Sequence, residues 1–198
     1  MYPDRNTALT ELKEAGQLNP GPWTAHCLNA ARAAEAIASR CGMDGEKAFV
    51  CGLLHDIGRR SGRYSIRHIT DGYQYAMSKG WDEVARICLT HSFPVKDAEK
   101  VLGKRDCTPE MWEFLCRFIA DTEYDDYDRL IILCDALAEG TGFCLLEKRF
   151  VDVTRRYGIH SFTVERWEKT FEYKSYFEDK IGQSVYKLLP GIEECIYT

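Results

Sequence analysis

Only five histidines occur in this 198-residue sequence, and four of them join two aspartates in one ordered series: His26, the adjacent pair His55-Asp56, His68, His91 and Asp135. Imidazole nitrogen and carboxylate oxygen together suit divalent first-row metals. The surroundings point the same way. Asp56 follows the apolar run Val50-Cys51-Gly52-Leu53-Leu54, and Asp135 follows Ile131-Ile132-Leu133-Cys134. A carboxylate carried into a core by such runs is costly when ionised and unpaired, and a bound cation removes that cost. Taken singly, each residue has an ordinary reading. A lone histidine on a helix is more often packed or superficial than ligating, and Asp135 alone could cap a helix or partner an arginine. His160 lies outside the series and reads as structural or surface. The ordered set is what carries the metal reading.

Such a site needs elements to hold it, and the periodicity is helical nearly throughout. The alanine-rich stretch 24–41 carries His26 and ends at Gly42. Asp44 caps a second helix, expected to run to about Ile57, which carries His55 and Asp56; Gly58 weakens its end. Helices over 66–79 and 81–90 place His68 at the start of one and His91 at the end of the other. Thr108-Pro109-Glu110 opens a helix reaching Ala120. Helices over 128–139, 145–157 and 163–188 follow, with Asp135 in the first of them. Facing helices of a bundle are a common setting for metal sites. The acidic run 121–128 reads as a solvated loop plus a helix cap, since it lacks the glycine and spacing of a calcium loop. Cys27, Cys88 and Cys134 adjoin proposed ligands in sequence, but their helical positions point them into packing. Asp71 shares a face with His68, where it either orients that ring or is an ordinary exposed acid.

Composition bounds the rest. With 45% hydrophobic and 12% aromatic residues the chain can bury a real core. A net charge of -5 argues against a surface built for nucleic acid or anionic membrane. The nine cysteines are odd in number and form no C-x-x-C pair, which suits free buried thiols in a reducing cytosol. There is no signal-like start and no apolar run of the roughly 18 residues a bilayer span requires. The expectation is a soluble, cytoplasmic protein with no stable nucleic-acid or membrane partner; a homo-oligomer stays open.

The series resembles the HD-domain superfamily, whose pattern is one histidine, then His-Asp, then a distal aspartate. His26, His55-Asp56 and Asp135 match that order, and Leu53-Leu54-His55-Asp56-Ile57-Gly58-Arg59 is similar to the family's HDIG stretch. His68-Ile69-Thr70-Asp71-Gly72 resembles the H-x-x-x-G segment of two-metal members, and His91 fits their further histidine. The likeness spans about 22–140. It implies an all-α fold: a single HD-type helical bundle over 1–198, with additional C-terminal helices over about 145–198. It implies that His26, His55, Asp56 and Asp135 hold one metal, and that Asp56 bridges to a second held by His68 and His91. The short interval from Asp56 to His68 leaves one or two divalent ions (Fe, Mn, Co, Ni, Zn or Mg).

The expected chemistry is hydrolysis of a small phosphate ester, nucleotide-like, by metal-activated water, with Asp56 and Arg59 as catalytic residues. Arg59, Arg60, Arg63, Arg67 and Lys96 cluster near the ligands in sequence. They form either a phosphate-binding rim or an ordinary solvated basic loop, with Arg59 foremost because it is nearest the ligand pair. Gly58 and Gly62 read as making that loop pliant. Two other readings share the ligand set: an HD-fold di-iron oxygenase of a polyol or phosphonate, and a non-catalytic regulatory domain that binds a nucleotide. The GYP signature of cyclic-di-GMP enzymes is absent.

Overall fold

A computed structural model describes residues 1–197, in the order α1 (Arg5–Leu18), α2 (Trp23–Arg40), α3 (Gly45–Leu54), α4 (Arg67–Ser78), α5 (Asp82–Thr90), α6 (Pro109–Asp121) and α7 (Asp126–Leu137). A hairpin of β1 (Ala138–Glu139) and β2 (Gly142–Phe143) follows, then α8 (Leu146–Tyr157) and α9 (Thr163–Ile181). The fold is all-α, as its periodicity requires.

Small residues decide where the helices meet. Ala30, Ala31, Ala33, Ala34 and Ala38 of α2 are fully buried, and α3 and α7 pack closely on them. A Cβ built on Gly52 of α3 would lie 2.8 Å from the Ala31 Cα. Only hydrogen fits there, so the backbones of α2 and α3 approach more closely than larger residues allow. Helix α1, which the sequence reading did not pick out, starts at an Asp4 cap that accepts the Thr7 amide at 3.0 Å. It buries Ala8, Leu12 and Ala15 with Val50, Leu53 and Leu54 of α3. The C-terminal helices belong to the main core, since Phe150, Phe177, Val185 and Leu189 are buried with α2 and α7.

Several boundaries differ from the sequence reading. Helix α3 stops at Leu54, and residues Ile57–Ser61 form a 3-10 turn. Helix α7 begins and ends two residues early relative to 128–139. Its start is a capping box, in which Asp125 accepts the Asp128 amide at 3.0 Å and Asp128 accepts the Asp125 amide at 2.9 Å. Helix α9 ends at Ile181, where Gly182 turns left-handed at φ +69°, and a 3-10 turn spans Val185–Leu188. No helix among the described residues is long and apolar enough to cross a membrane.

The acidic run is only partly the solvated loop expected. Asp128 is fully buried: Arg86 Nε donates to it at 3.0 Å and Thr90 Oγ1 at 2.8 Å. That network ties α5, which leads into His91, to α7, which carries Asp135.

Candidate metal centre

The ends of four helices and one turn of α2 converge on a single point. His26 sits in the first turn of α2, His55 directly after α3, His68 in the first turn of α4 and His91 directly after α5. Asp56 follows His55, and Asp135 lies in the last turn of α7. His26, His55 and Asp135 each offer an atom within 4.8 Å of the others, and so do Asp56, His68 and His91. His26 Nε2 lies 2.9 Å from Asp135 Oδ1, and His55 Nε2 lies 3.3 Å from His26 Nε2. His68 Nε2 and His91 Nε2 lie 3.0 and 3.5 Å from Asp56 Oδ1. His55 Nε2 stands between the groups, 3.8 Å from Asp56 Oδ2 and 3.7 Å from Asp135 Oδ1.

The other nitrogen of each ring is already engaged. His55 Nδ1 faces the Gly52 carbonyl at 2.7 Å, His91 Nδ1 the Cys88 carbonyl at 2.9 Å, and His26 Nδ1 the Ala138 carbonyl at 3.1 Å; His68 Nδ1 bonds the Ser65 carbonyl. A carbonyl only accepts, so in each ring Nδ1 is the protonated nitrogen and donates. Each Nε2 then faces the common centre and is the nitrogen that a metal would take, any proton of its own being released on ligation. Two of the carbonyls, Gly52 and Cys88, are orphan acceptors in a final helical turn. The carbonyl of Ala138 is available because α7 ends at Leu137: a helix running to Glu139 would not turn that group toward His26.

Glycine sets the reach of α4. A Cβ on Gly58 would lie 1.9 Å from the His68 carbonyl oxygen and 2.4 Å from the Gly72 amide nitrogen. The turn after Asp56 and the start of α4 therefore cross backbone on backbone, and this brings His68 up to Asp56 despite the short intervening chain. The pliancy expected of Gly58 is not its role, because the residue is buried and its requirement is steric; Gly62, at φ +140°, is the left-handed position. Asp106, which sequence reasoning missed, fixes the same helix start. Its carboxylate accepts the Ser65 amide at 2.6 Å and the Arg67 amide at 2.7 Å, from 39 residues or more along the chain. The absence of a capping residue at Ile66 was the available signal.

The donor set fits a divalent cation. Asp56 Oδ1 is buried and accepts no hydrogen bond, although two imidazole nitrogens face it. Burial alone would raise the Asp56 carboxyl, but Arg59, His68 and His55 hold it well below the usual carboxylate range. Asp135 is likewise opposed by burial and held low by His26 and His55. Burial and the Arg59 charge push His68 down, toward the neutral form that ligates. Cys27 departs from the reading that pointed it away, since its sulfur lies with His55 and Asp56 inside a 4.8 Å group. Burial and the Asp56 charge push its thiol far up.

A cavity of about 780 Å³ opens over the cluster, with His26, Asp56, His91 and Asp135 in its wall. Of the basic residues read as a phosphate rim, Arg59 alone lines it. The Arg59 Nε donates to Asp56, and its Nη2 lies 3.4 Å from His68 Nε2. Arg60 turns away to Glu11 at 3.4 Å and stacks on Tyr75. Arg67 pairs with Asp71 at 3.2 Å, so Asp71 serves Arg67 and makes no bond to His68. Lys96 bonds Glu123 at the surface, and Arg63 is exposed outside the cavity wall. His160 is exposed on the turn between α8 and α9, as read.

An all-α bundle that gathers a histidine and aspartate cluster at its helix ends, on an adjacent His-Asp pair, has the form of an HD domain. The HD domain family model matches residues 23–140, and the chain belongs to that family, a superfamily of metal-dependent phosphohydrolases whose domains bind divalent metals. No curated protein matches the sequence.

Proposed function

We propose that the chain hydrolyses a small, nucleotide-like phosphate ester with water activated at a two-metal centre. The observation that carries the reading is the convergence of four imidazole Nε2 atoms and two carboxylates at the base of a cavity that also presents Arg59. His26, His55, Asp56 and Asp135 would hold one ion; His68, His91 and the shared Asp56 would hold the other. Divalent metal held there would supply a lowered pKa for water and withdraw charge from phosphoryl oxygen.

The chain's own residues do the remaining work. The carbonyls on Nδ1 keep the four rings in one tautomer and orientation. Asp56 orients the attacking water, and Arg59 offers two or more N–H groups to phosphate oxygens, matching the charge that develops on them. No side-chain nucleophile is required. Trp23, Tyr64 and Trp167 in the cavity wall give apolar faces suited to a base.

The test is elemental analysis of the purified protein, then phosphate release from a panel of esters after manganese loading. Phosphate release that depends on His55 and Asp56 supports the reading. Oxygen uptake with iron(II) in place of phosphate release overturns it in favour of an oxygenase. A metal-loaded protein inert to the panel but thermally stabilised by a nucleotide overturns it in favour of a regulatory domain.

A further inference from the structure

Arg166 of α9 differs from the protein's ion-paired arginines. Arg5, Arg59, Arg67 and Arg86 each sit against a carboxylate that holds the guanidinium charge. Arg166 has no ion pair among the described residues. Its hydrogen bonds go to two backbone carbonyls, Nη1 to Lys100 at 2.8 Å and Nη2 to Ser92 at 3.1 Å. The group is deeply surrounded by protein yet retains partial exposure, because it faces the cavity over the metal centre. Burial pushes its pKa down, to about 10, with the Asp135 charge opposing the shift. It remains a cation at neutral pH, with no carboxylate at ion-pair distance among the described residues.

Most carboxylates of the cavity wall are committed elsewhere. Asp56 and Asp135 face the histidines of the cluster and Asp152 takes Arg156 at 2.9 Å, while Glu139 has no ion pair with either Arg166 or Arg149 among the described residues. A second guanidinium, Arg149 of α8, lines the same cavity half-buried and also without an ion pair among the described residues. A desolvated, unneutralised cation is costly in a folded protein, and an arginine fork held by carbonyls is pre-oriented for an oxyanion. The Ser92 carbonyl that anchors it directly follows His91, so the fork is fixed relative to the metal ligands.

We propose that Arg166, with Arg149, binds a second anionic group of the substrate, remote from the phosphate that is cleaved. The substrate class is then a phosphate ester carrying another phosphate or a carboxylate. This rests on the hydrolase reading for the word substrate, but not for the anion site itself. Both arginines lie beyond residue 140, outside the stretch that matches the family. The site therefore selects among substrates, while the centre supplies the chemistry.

Two measurements on the metal-loaded full chain separate these claims. The first compares matched esters with and without the remote anion: adenosine 3′,5′-bisphosphate against adenosine 5′-monophosphate, and 3-phosphoglycerate against glycerol 3-phosphate. Charge-assisted hydrogen bonds of this kind are worth roughly tenfold to a hundredfold. The wild type should prefer the doubly anionic member of at least one pair by that factor in kcat/KM. Arg166→Gln should abolish the preference, and Arg166→Lys should restore part of it. The second is a calorimetric titration with inorganic phosphate, which needs no turnover; Arg166→Gln should lose a binding event that Arg59→Ala retains.

If Arg166 merely ties α9 to the loop after His91, Arg166→Gln will lower both members of each pair equally and leave phosphate binding intact. That result overturns the proposal. If no ester is cleaved by any form while the Arg166-dependent phosphate event persists, the hydrolase reading fails and the anion site stands.

Discussion

The two parts of this molecule that meet at the cavity are built on opposite terms. In the part that matches the family, residues 23–140, every ligand ring is held at Nδ1 by a backbone carbonyl, and its helix is fixed by glycine contacts, caps or buried pairs. In α8 and α9, side chains face the same cavity with few anchors, and two arginines there keep no carboxylate. Under the proposed function, the difference is a division of labour. Water activation demands fixed geometry, because an error of about 1 Å can cost roughly a hundredfold in rate. Selection of a ligand demands unsatisfied donors that the ligand itself completes.

The largest effect should come from the residue on which the rigid part centres. Asp56→Asn keeps the volume but removes the charge that two imidazoles and Arg59 converge on. Metal content measured by emission spectroscopy should fall sharply, and phosphate release should drop to background. Full metal occupancy in this variant would show that the centre is not organised around Asp56. The corresponding change in the cover, Arg166→Gln, should leave metal content untouched, and that contrast is the sharpest statement of the division.

Next is a change far smaller in chemistry. Gly58→Ala adds one methyl group, but it would lie 1.9 Å from the His68 carbonyl. Backbone must move, at a cost of about 1–3 kcal/mol as for other overpacked sites. Because the displaced segment carries His68, activity should fall more than stability, by about a hundredfold. Thermal melting beside a kcat measurement separates the two; a variant with native activity would mean that the crossing does not position His68.

Arg59→Ala tests the one basic residue of the rigid part that reaches the cavity. Loss of a charged donor to phosphate should reduce kcat/KM by about tenfold to a hundredfold, with metal content retained. Loss of metal would instead make Arg59 a structural partner of Asp56.

These contrasts also show what could be read from sequence. The helices were legible because alanine, apolar period and caps such as Asp44 and Thr108 are local signals. The convergence of the histidine and aspartate cluster was legible because adjacent His-Asp and the spacing of His26, His68, His91 and Asp135 follow a family pattern. The basic rim was not legible beyond Arg59. Proximity in sequence placed Arg60 and Arg67 together with it, but the 3-10 turn and α4 rotate them onto Glu11 and Asp71. Arg166 was hidden for the converse reason, since its place in the cavity wall depends on a fold that returns α9 across the cluster from far along the chain. The early end of α7 at Leu137 was equally hidden, because the Ala138 carbonyl serves His26, a partner 112 residues away.

Asp106 offers the smallest and most specific test of the rigid part. Its carboxylate takes the amides of Ser65 and Arg67, at the helix start that presents His68 and beside the carbonyl that holds Nδ1. Burial works to raise its pKa, but those amides outweigh burial and bring it below its ordinary 3.8. A folded-state pKa that is depressed adds stability above the unfolded value and loses it as pH falls through the folded one. The contribution is therefore complete at neutral pH and disappears in acid below about pH 4. Asp106→Ala should cost about 1 kcal/mol at pH 7, as loss of a cap does. The gap in melting temperature between wild type and variant should close on acidification. Affinity for metal should weaken by about tenfold, as when the support of a ligand is removed, through the ion that His68 helps to hold. If the melting gap stays constant across the acid range, the carboxylate is not the capping group. If it closes while metal affinity is unchanged, α4 is held there for stability alone, and His68 keeps its place through the contact of Gly58 with Gly72.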